Sequence, residues 1–162
     1  MAVQDLVKQT SVQQAVATLR QGGVKSRYEN FIGGRWLAPV NGRYFTDYSP
    51  INGEPICEIA KSSAEDVEKA LDAAHAVKDL WGRTAPAIRS SILLKIADKM
   101  EENLELLALA ETLDNGKPIR ETRAADVPLS IDHFRYFAGC IRAEEGTVGE
   151  IDNDTIAYHF KE

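Results

Sequence analysis

The sequence predicts a mixed α/β fold, and three observations carry that reading. Apolar residues three and four apart fill most of the interval from Ser62 to Gly146, the spacing of helices that bury one face. Short runs of strand composition flank that interval, between Tyr28 and Ala60 and again between Thr147 and Phe160. Between them, Leu104 to Arg120 reads LELLALAETLDNGKPIR, in which Leu104, Leu107, Ala108 and Glu111 keep the helical repeat. Leu106, Leu109 and Leu113 widen its apolar stripe, so this segment is predicted to be a core helix. Asn115 and Gly116 accept a left-handed backbone cheaply, and Pro118 cannot continue a helix, which fixes its end.

Each element has its own local basis. Val12, Val16 and Leu19 share a helical face from about Thr10 to Gln21, with Thr10 and Gln13 spaced as a capping box and Gly22-Gly23 closing the run. Tyr28 to Trp36 reads YENFIGGRW, where Gly33-Gly34 suits a two-residue hairpin turn. Trp36-Leu37-Ala38-Pro39 supplies no helix start after it, so the pair is not expected to hold a phosphate. Tyr44–48 and Glu54–60 are predicted strands around the turn residues Ser49 to Gly53. Ser62 and Glu65 have capping-box spacing, after which Val67, Ala70, Leu71, Ala74, Val77 and Trp81 trace a helix face ended by Gly82. Thr84 is the expected N-cap of the next helix, with Pro86 in its first turn and Ile88, Ile92, Ile96 and Met100 as its stripe. Asn103 marks a bend before the core helix. Beyond Pro118 a short helix is expected to reach Asp126, which would cap a longer one with Pro128 in its first turn. That helix buries Val127, Ile131, Phe134, Phe137 or Ala138, and Ile141, and ends at Gly146. Finally, Ile156, Tyr158 and Phe160 alternate with Ala157 and His159, as in a half-buried strand. A two-stranded ribbon with open edges is prone to pair with other chains.

Composition narrows the function classes. With 162 residues and 44% hydrophobic content, one or at most two domains are expected. A net charge of -6 with mixed signs excludes a surface built for nucleic acid or an anionic membrane. No window approaches the roughly 20 apolar residues of a membrane span. The opening MAVQDLVKQTSVQQ lacks a basic and then apolar leader, so a cytoplasmic location is expected. Cys57 and Cys140 lack C-x-x-C spacing and read as reduced thiols: Cys57 as a buried strand residue, Cys140 near a helix C-terminus that disfavours a thiolate. His75 has no visible second ligand, and adjacent carboxylates such as Glu101-Glu102 and Glu144-Glu145 point in different directions on a helix. None of these residues is expected to do chemistry.

Five motifs stand in register: FIGGRW at Phe31 to Trp36, SPINGEPICEI at Ser49 to Ile59, EDVEKALDAA at Glu65 to Ala74, ETLDNGKPIRET at Glu111 to Thr122, and HFRYFAGCIRAEEG at His133 to Gly146 running to YHFKE. Together they resemble the first part of NAD(P)-dependent aldehyde dehydrogenases, most of all bacterial acetaldehyde and short-chain aldehyde dehydrogenases. The resemblance implies an N-terminal arm at 1–27, the helical flank and edge strands of a cofactor-binding domain at 28–145, and an oligomerisation β-ribbon at 146–162. It implies a homo-oligomer joined through residues 147–160, and a small-molecule aldehyde and NAD or NADP as ligands of the intact enzyme. Asp114, with the backbone near Asp47, matches positions that hold a structural monovalent cation in some relatives. Leu129 matches a position lining the mouth of the aldehyde tunnel.

The family's reaction uses a cysteine thiolate to form a thiohemiacetal, hydride transfer to NAD(P)+, and a glutamate-activated water that releases the acid. The I-P-W-N-F-P segment, the glycine-rich cofactor turn, that glutamate and that cysteine are not among these 162 residues. The chain alone is therefore expected to be inactive and to bind no cofactor. The alternatives are a non-catalytic protein that pairs with full-length subunits through its ribbon, and a sequence with no separate function.

Overall fold

The computed structural model describes residues 12–159; Thr10, expected in the first capping box, and Phe160 lie outside them. Helix α1 (Val12–Gln21) is followed by strand β1 (Arg27–Tyr28), whose two residues are too few to leave a pattern in the sequence. Strands β2 (Asn30–Ile32) and β3 (Arg35–Leu37) then form a hairpin. Gly33 and Gly34 take φ of 56° and 77°, the paired positive values that such a turn requires. Phe31 faces Trp36 across the hairpin, with ring centroids 5.1 Å apart.

Strands β4 (Tyr44–Tyr48) and β5 (Pro55–Ala60) complete a three-stranded sheet of order β1-β5-β4, in which β5 runs parallel to β1 and antiparallel to β4. Ile56 and Ala60 are the buried residues of β5, whereas Cys57 and Ile59 are only half-buried on its other side. The thiol expected in the core is half-buried: it packs beside the cluster that α1, Ile56 and the core helix form, at the lining of a cleft.

Helix α2 (Ala64–Gly82) starts one residue later than predicted. Its N-cap is Ser63, whose capping-box partner is Asp66 rather than Glu65. Asp66 Oδ2 accepts from the Ser63 amide at 2.7 Å, while Oδ1 accepts from the Val40 amide at 2.9 Å, so one buried carboxylate caps the helix and anchors the preceding loop. Ser62 instead donates to Asn30. In helix α3 (Pro86–Glu102) the N-cap is Ala85 rather than Thr84, whose hydroxyl turns back to the Leu80 carbonyl. The stripes expected to be buried on these two helices face outward: Leu71, Val77 and Trp81 on α2 and Ile88 on α3 are exposed.

Asn103 separates α3 from helix α4 (Leu104–Asn115), the predicted core helix. It ends at Gly116, whose φ of 79° is the expected left-handed stop. A short helix α5 (Ile119–Glu121) then passes through a π-helical turn (Thr122–Asp126) into α6 (Val127–Ala143). Asp126 is helical, with φ -63° and ψ -52°, so the expected break and N-cap are absent. Pro128, which has no N–H to give and would crowd the carbonyl four residues back, is accommodated by the wider turn. Val127, Ile131 and Ala138 are the buried residues of α6, and Phe137 is exposed. Ser90 and Ala97 form the packed side of α3 because α6 is its partner, and nothing among the described residues covers the Ile88 face.

Helix α4 is buried from two sides, which explains its broad apolar surface. Leu109 and Leu113 pack with Val12, Ala15, Leu19 and Ile56, while Ala108 packs with Ala97, Val127 and Ile131. The last elements, β6 (Thr147–Asp152) and β7 (Thr155–His159), form an antiparallel hairpin in which Val148 faces Tyr158 and Glu150 faces Ile156. Both strands are exposed along their whole length, not half-buried as predicted, since no other described element lies against them.

Candidate functional site

The sheet and the core helix enclose a cleft of about 560 Å³. Leu19, Ile56, Met100, Leu107 and Val127 supply apolar wall, and Asp47, Cys57, Glu111 and Asp114 supply polar groups. Each aspartate arrives from an element end that local chemistry fixes. Asp47 sits where the β4–β5 register shifts, and Asp114 lies in the last turn of α4 before the Gly116 stop. The fold thus brings together Asp47 and Asp114, the two positions that the sequence resemblance singled out for a cation.

Their electrostatics follow from that placement. Partial burial and then the facing Asp114 carboxylate push the Asp47 carboxyl above its ordinary value. Burial and the Asp47 charge push the Cys57 thiol up as well, its Sγ lying 3.9 Å from Asp47 Oδ2. A raised thiol is a poor nucleophile, in accord with a structural reading of Cys57. Cys140, half-buried on α6, interacts with the Tyr136 hydroxyl one turn earlier, and His75 is exposed on α2. Among the described residues no three His, Cys, Asp or Glu side chains are grouped to share a metal ion. Two carboxylates are hard oxygen donors, which suit a hard cation better than a soft transition metal.

Leu129 is not part of the cleft. It stands 55% exposed on α6, on the side away from the buried Val127 and Ile131. Gly33-Gly34 leads into β3 rather than a helix, and no helix among the described residues begins at a glycine-rich turn.

Four structural residues escaped the sequence reading. Ser49 is fully buried and ties the β4–β5 turn to α4, and its only signal was a place in a turn-rich stretch. Asp66 was visible as a second Ser-x-x-acid pattern, Ser63 to Asp66, one step from the Ser62 to Glu65 pair. The buried hydroxyl contact of Thr112 with Thr122, at 2.9 Å, had no local signal because it joins separate helices.

The sequence profile of the aldehyde dehydrogenase family matches residues 36–162. The chain belongs to the aldehyde dehydrogenase family. It is 67% identical over 138 residues to an aldehyde dehydrogenase of Paracoccus denitrificans, covering 85% of this chain and 27% of that one. It is 66% identical over 138 residues to a long-chain-aldehyde dehydrogenase of Acinetobacter sp, with the same coverage. The crystal structure of PnpE in complex with nicotinamide adenine dinucleotide superposes with a TM-score of 0.79 at 38% identity, covering 81% of this chain and 27% of PnpE. The chain thus spans about a quarter of the length of the aldehyde dehydrogenases it matches. No helix among the described residues is long and apolar enough to cross a membrane.

Proposed function

We propose that these 162 residues serve as the N-terminal segment of an enzyme that oxidises aliphatic aldehydes, short-chain ones above all, to carboxylic acids with NAD+ or NADP+ in the cytoplasm. The family match over residues 36–162 carries this reading. The near-identical degree of likeness to a relative named for long-chain aldehydes makes chain length the variable to scan. In the intact enzyme, residues 1–27 act as an arm, 28–145 as part of the cofactor domain and 146–162 as a ribbon that joins subunits. The carboxylates of Asp47 and Asp114 hold a structural monovalent cation with nearby backbone oxygens, and Leu129 lines the mouth of the aldehyde tunnel. Neither thiol of this segment attacks the aldehyde: burial and Asp47 push the Cys57 thiol up, and Cys140 lies in the last turn of α6, where the helix dipole disfavours a thiolate. The segment alone is catalytically silent.

The test compares this polypeptide with an intact relative in an assay of aldehyde-dependent NAD(P)H formation over aldehydes of increasing chain length. The expected result is turnover by the intact enzyme, best with short chains, and none by the segment above a no-protein control. Turnover by the segment would overturn its silence, and a preference of the intact enzyme carrying this segment for long chains would overturn the short-chain reading. The exposed β6–β7 hairpin favours a second reading, a non-catalytic protein that pairs with full-length subunits. Co-purification with a full-length relative, lost when residues 147–160 are removed, is its expected signature.

A further inference from the structure

The π turn between α5 and α6 decides which side of α6 faces the core. Thr122 is fully buried, and its hydroxyl contacts the Ala108 carbonyl at 3.0 Å and the Thr112 hydroxyl at 2.9 Å, so this residue points at α4. If the helix continued from Thr122 with ordinary 3.6-residue turns, Asp126, Leu129, His133, Tyr136 and Cys140 would follow on that same α4-facing side. The observed buried residues are instead Val127, Ile131 and Ala138, one position after Asp126 and two after Leu129 and Tyr136. The amide of Val127 bonds the carbonyl of Thr122 itself, five residues back, which inserts one extra residue and rotates everything beyond it by about 100°. Leu129 and Tyr136 are thereby turned outward, where they are 55% and 63% exposed.

Two residues hold that turn. Thr122 anchors its first residue to α4 through the side chain while its carbonyl accepts the five-residue bond. Pro128 resists ordinary helical pairing at its far end, because it has no N–H for the carbonyl of Ala124 and its ring crowds that oxygen. We propose that Thr122 and Pro128 are positioning residues that set the rotational phase of α6, and so present the Leu129–His133–Tyr136 side outward. The consequence for substrate rests on the tunnel reading of Leu129: this pair places the wall past which the aldehyde enters.

Cysteine accessibility in the 162-residue chain tests the phase directly. With thiol labelling mapped by mass spectrometry, Leu129→Cys is expected to react at least about tenfold faster than Ile131→Cys, since a buried thiol reacts only through local opening. In a Thr122→Val, Pro128→Ala background the contrast is expected to reverse, with position 129 slowing and position 131 accelerating. Thr122→Ser with Pro128 kept is expected to preserve the original contrast. Acceleration at both positions together would mean that the two residues merely stabilise the fold, and would overturn the proposal, as would an unchanged contrast. In an intact enzyme carrying this segment, Leu129→Trp is expected to raise KM for the aldehyde and leave KM for NAD(P)+ unchanged. A reversal of labelling with no change in aldehyde KM would leave the phase assignment standing and remove only the tunnel reading.

Discussion

The hydroxyl of Ser49 donates to the carbonyl oxygen of Leu113 at 2.8 Å, although the two residues lie 64 positions apart in sequence. Leu113 is in the last turn of α4, where carbonyls have no partner inside the helix, and Ser49 is fully buried in the turn between β4 and β5. The backbone of Ser49 also bonds Glu54 and Gly53, so one residue closes that turn and seats it on the helix end. This contact is what sets Asp47 opposite Asp114. Ser49→Ala would leave a buried carbonyl without a donor, and the expected loss is about 1–3 kcal/mol of unfolding free energy in a denaturant titration. A loss below about 0.5 kcal/mol, the ordinary range of surface substitutions, would show that the hydroxyl does not hold the turn.

Asp47 should weaken the fold at neutral pH and cease to do so in acid. Its folded-state pKa is raised by burial and by Asp114, so the charged form is disfavoured in the native state. The penalty is present at neutral pH, is relieved as pH falls through the raised folded value, and vanishes below the unfolded value of about 3.9. Asp47→Asn is therefore expected to raise the thermal midpoint at pH 7 and to match the parent near pH 3. Added potassium or sodium should raise the midpoint of the parent and leave Asp47→Asn unmoved. Equal salt responses in the two proteins would remove the cation assignment.

The sign is opposite at Asp66. Hydrogen bonds from the Ser63 and Val40 amides hold its carboxyl below the usual carboxylate range. Its contribution is fully present above the unfolded value of about 3.9 and is lost as pH falls through the lower folded value. Asp66→Asn is expected to lower the thermal midpoint by several degrees at pH 7, since an amide has one acceptor oxygen for three donors, with the gap closing in strong acid. Glu65→Gln, at the alternative capping pair, should change little. A reversal of the two effects would move the cap back to Ser62.

Local chemistry was legible in the sequence wherever one residue type has one use. Gly33-Gly34 and Gly116 landed at the positive φ that only glycine adopts cheaply, and Asn103 and Pro86 marked helix boundaries. The Asp47–Asp114 pairing was legible only through motif resemblance, since 67 positions of chain separate the two residues. What the sequence concealed was choice between equivalent readings. Ser62 to Glu65 and Ser63 to Asp66 are equally good capping boxes, and the Val40 amide, distant in sequence, decides for the second. On α3, the stripe of Ile88 and Ile92 is more apolar than the side that packs, because Ser90 offsets its burial with a 2.8 Å bond to the Ala138 carbonyl of α6. Burial on these helices depends on a neighbour, and periodicity says which residues share a side without saying what covers it.

The β6–β7 hairpin should drive association of the chain. Val148 and Tyr158 face each other across the hairpin, and Glu150 faces Ile156 on the same side two residues along. Val148, Ile156 and Tyr158 are 76%, 66% and 71% exposed, so an apolar face and two open strand edges meet solvent together. A lone two-stranded hairpin is marginal in water, whereas a second hairpin or a sheet edge set beside it would cover the face and extend the hydrogen-bond ladder. Sedimentation equilibrium is expected to give a mass of at least two chains, with a dissociation constant that rises when Ile156→Lys places a charge in that face. The helical far-UV dichroism of the variant should match the parent, because no described helix packs against this hairpin. A parent chain that sediments as a monomer at high micromolar concentration would remove the ribbon as an assembly element, and an Ile156→Lys chain that stays associated would move the interface to the exposed apolar sides of α2 and α3.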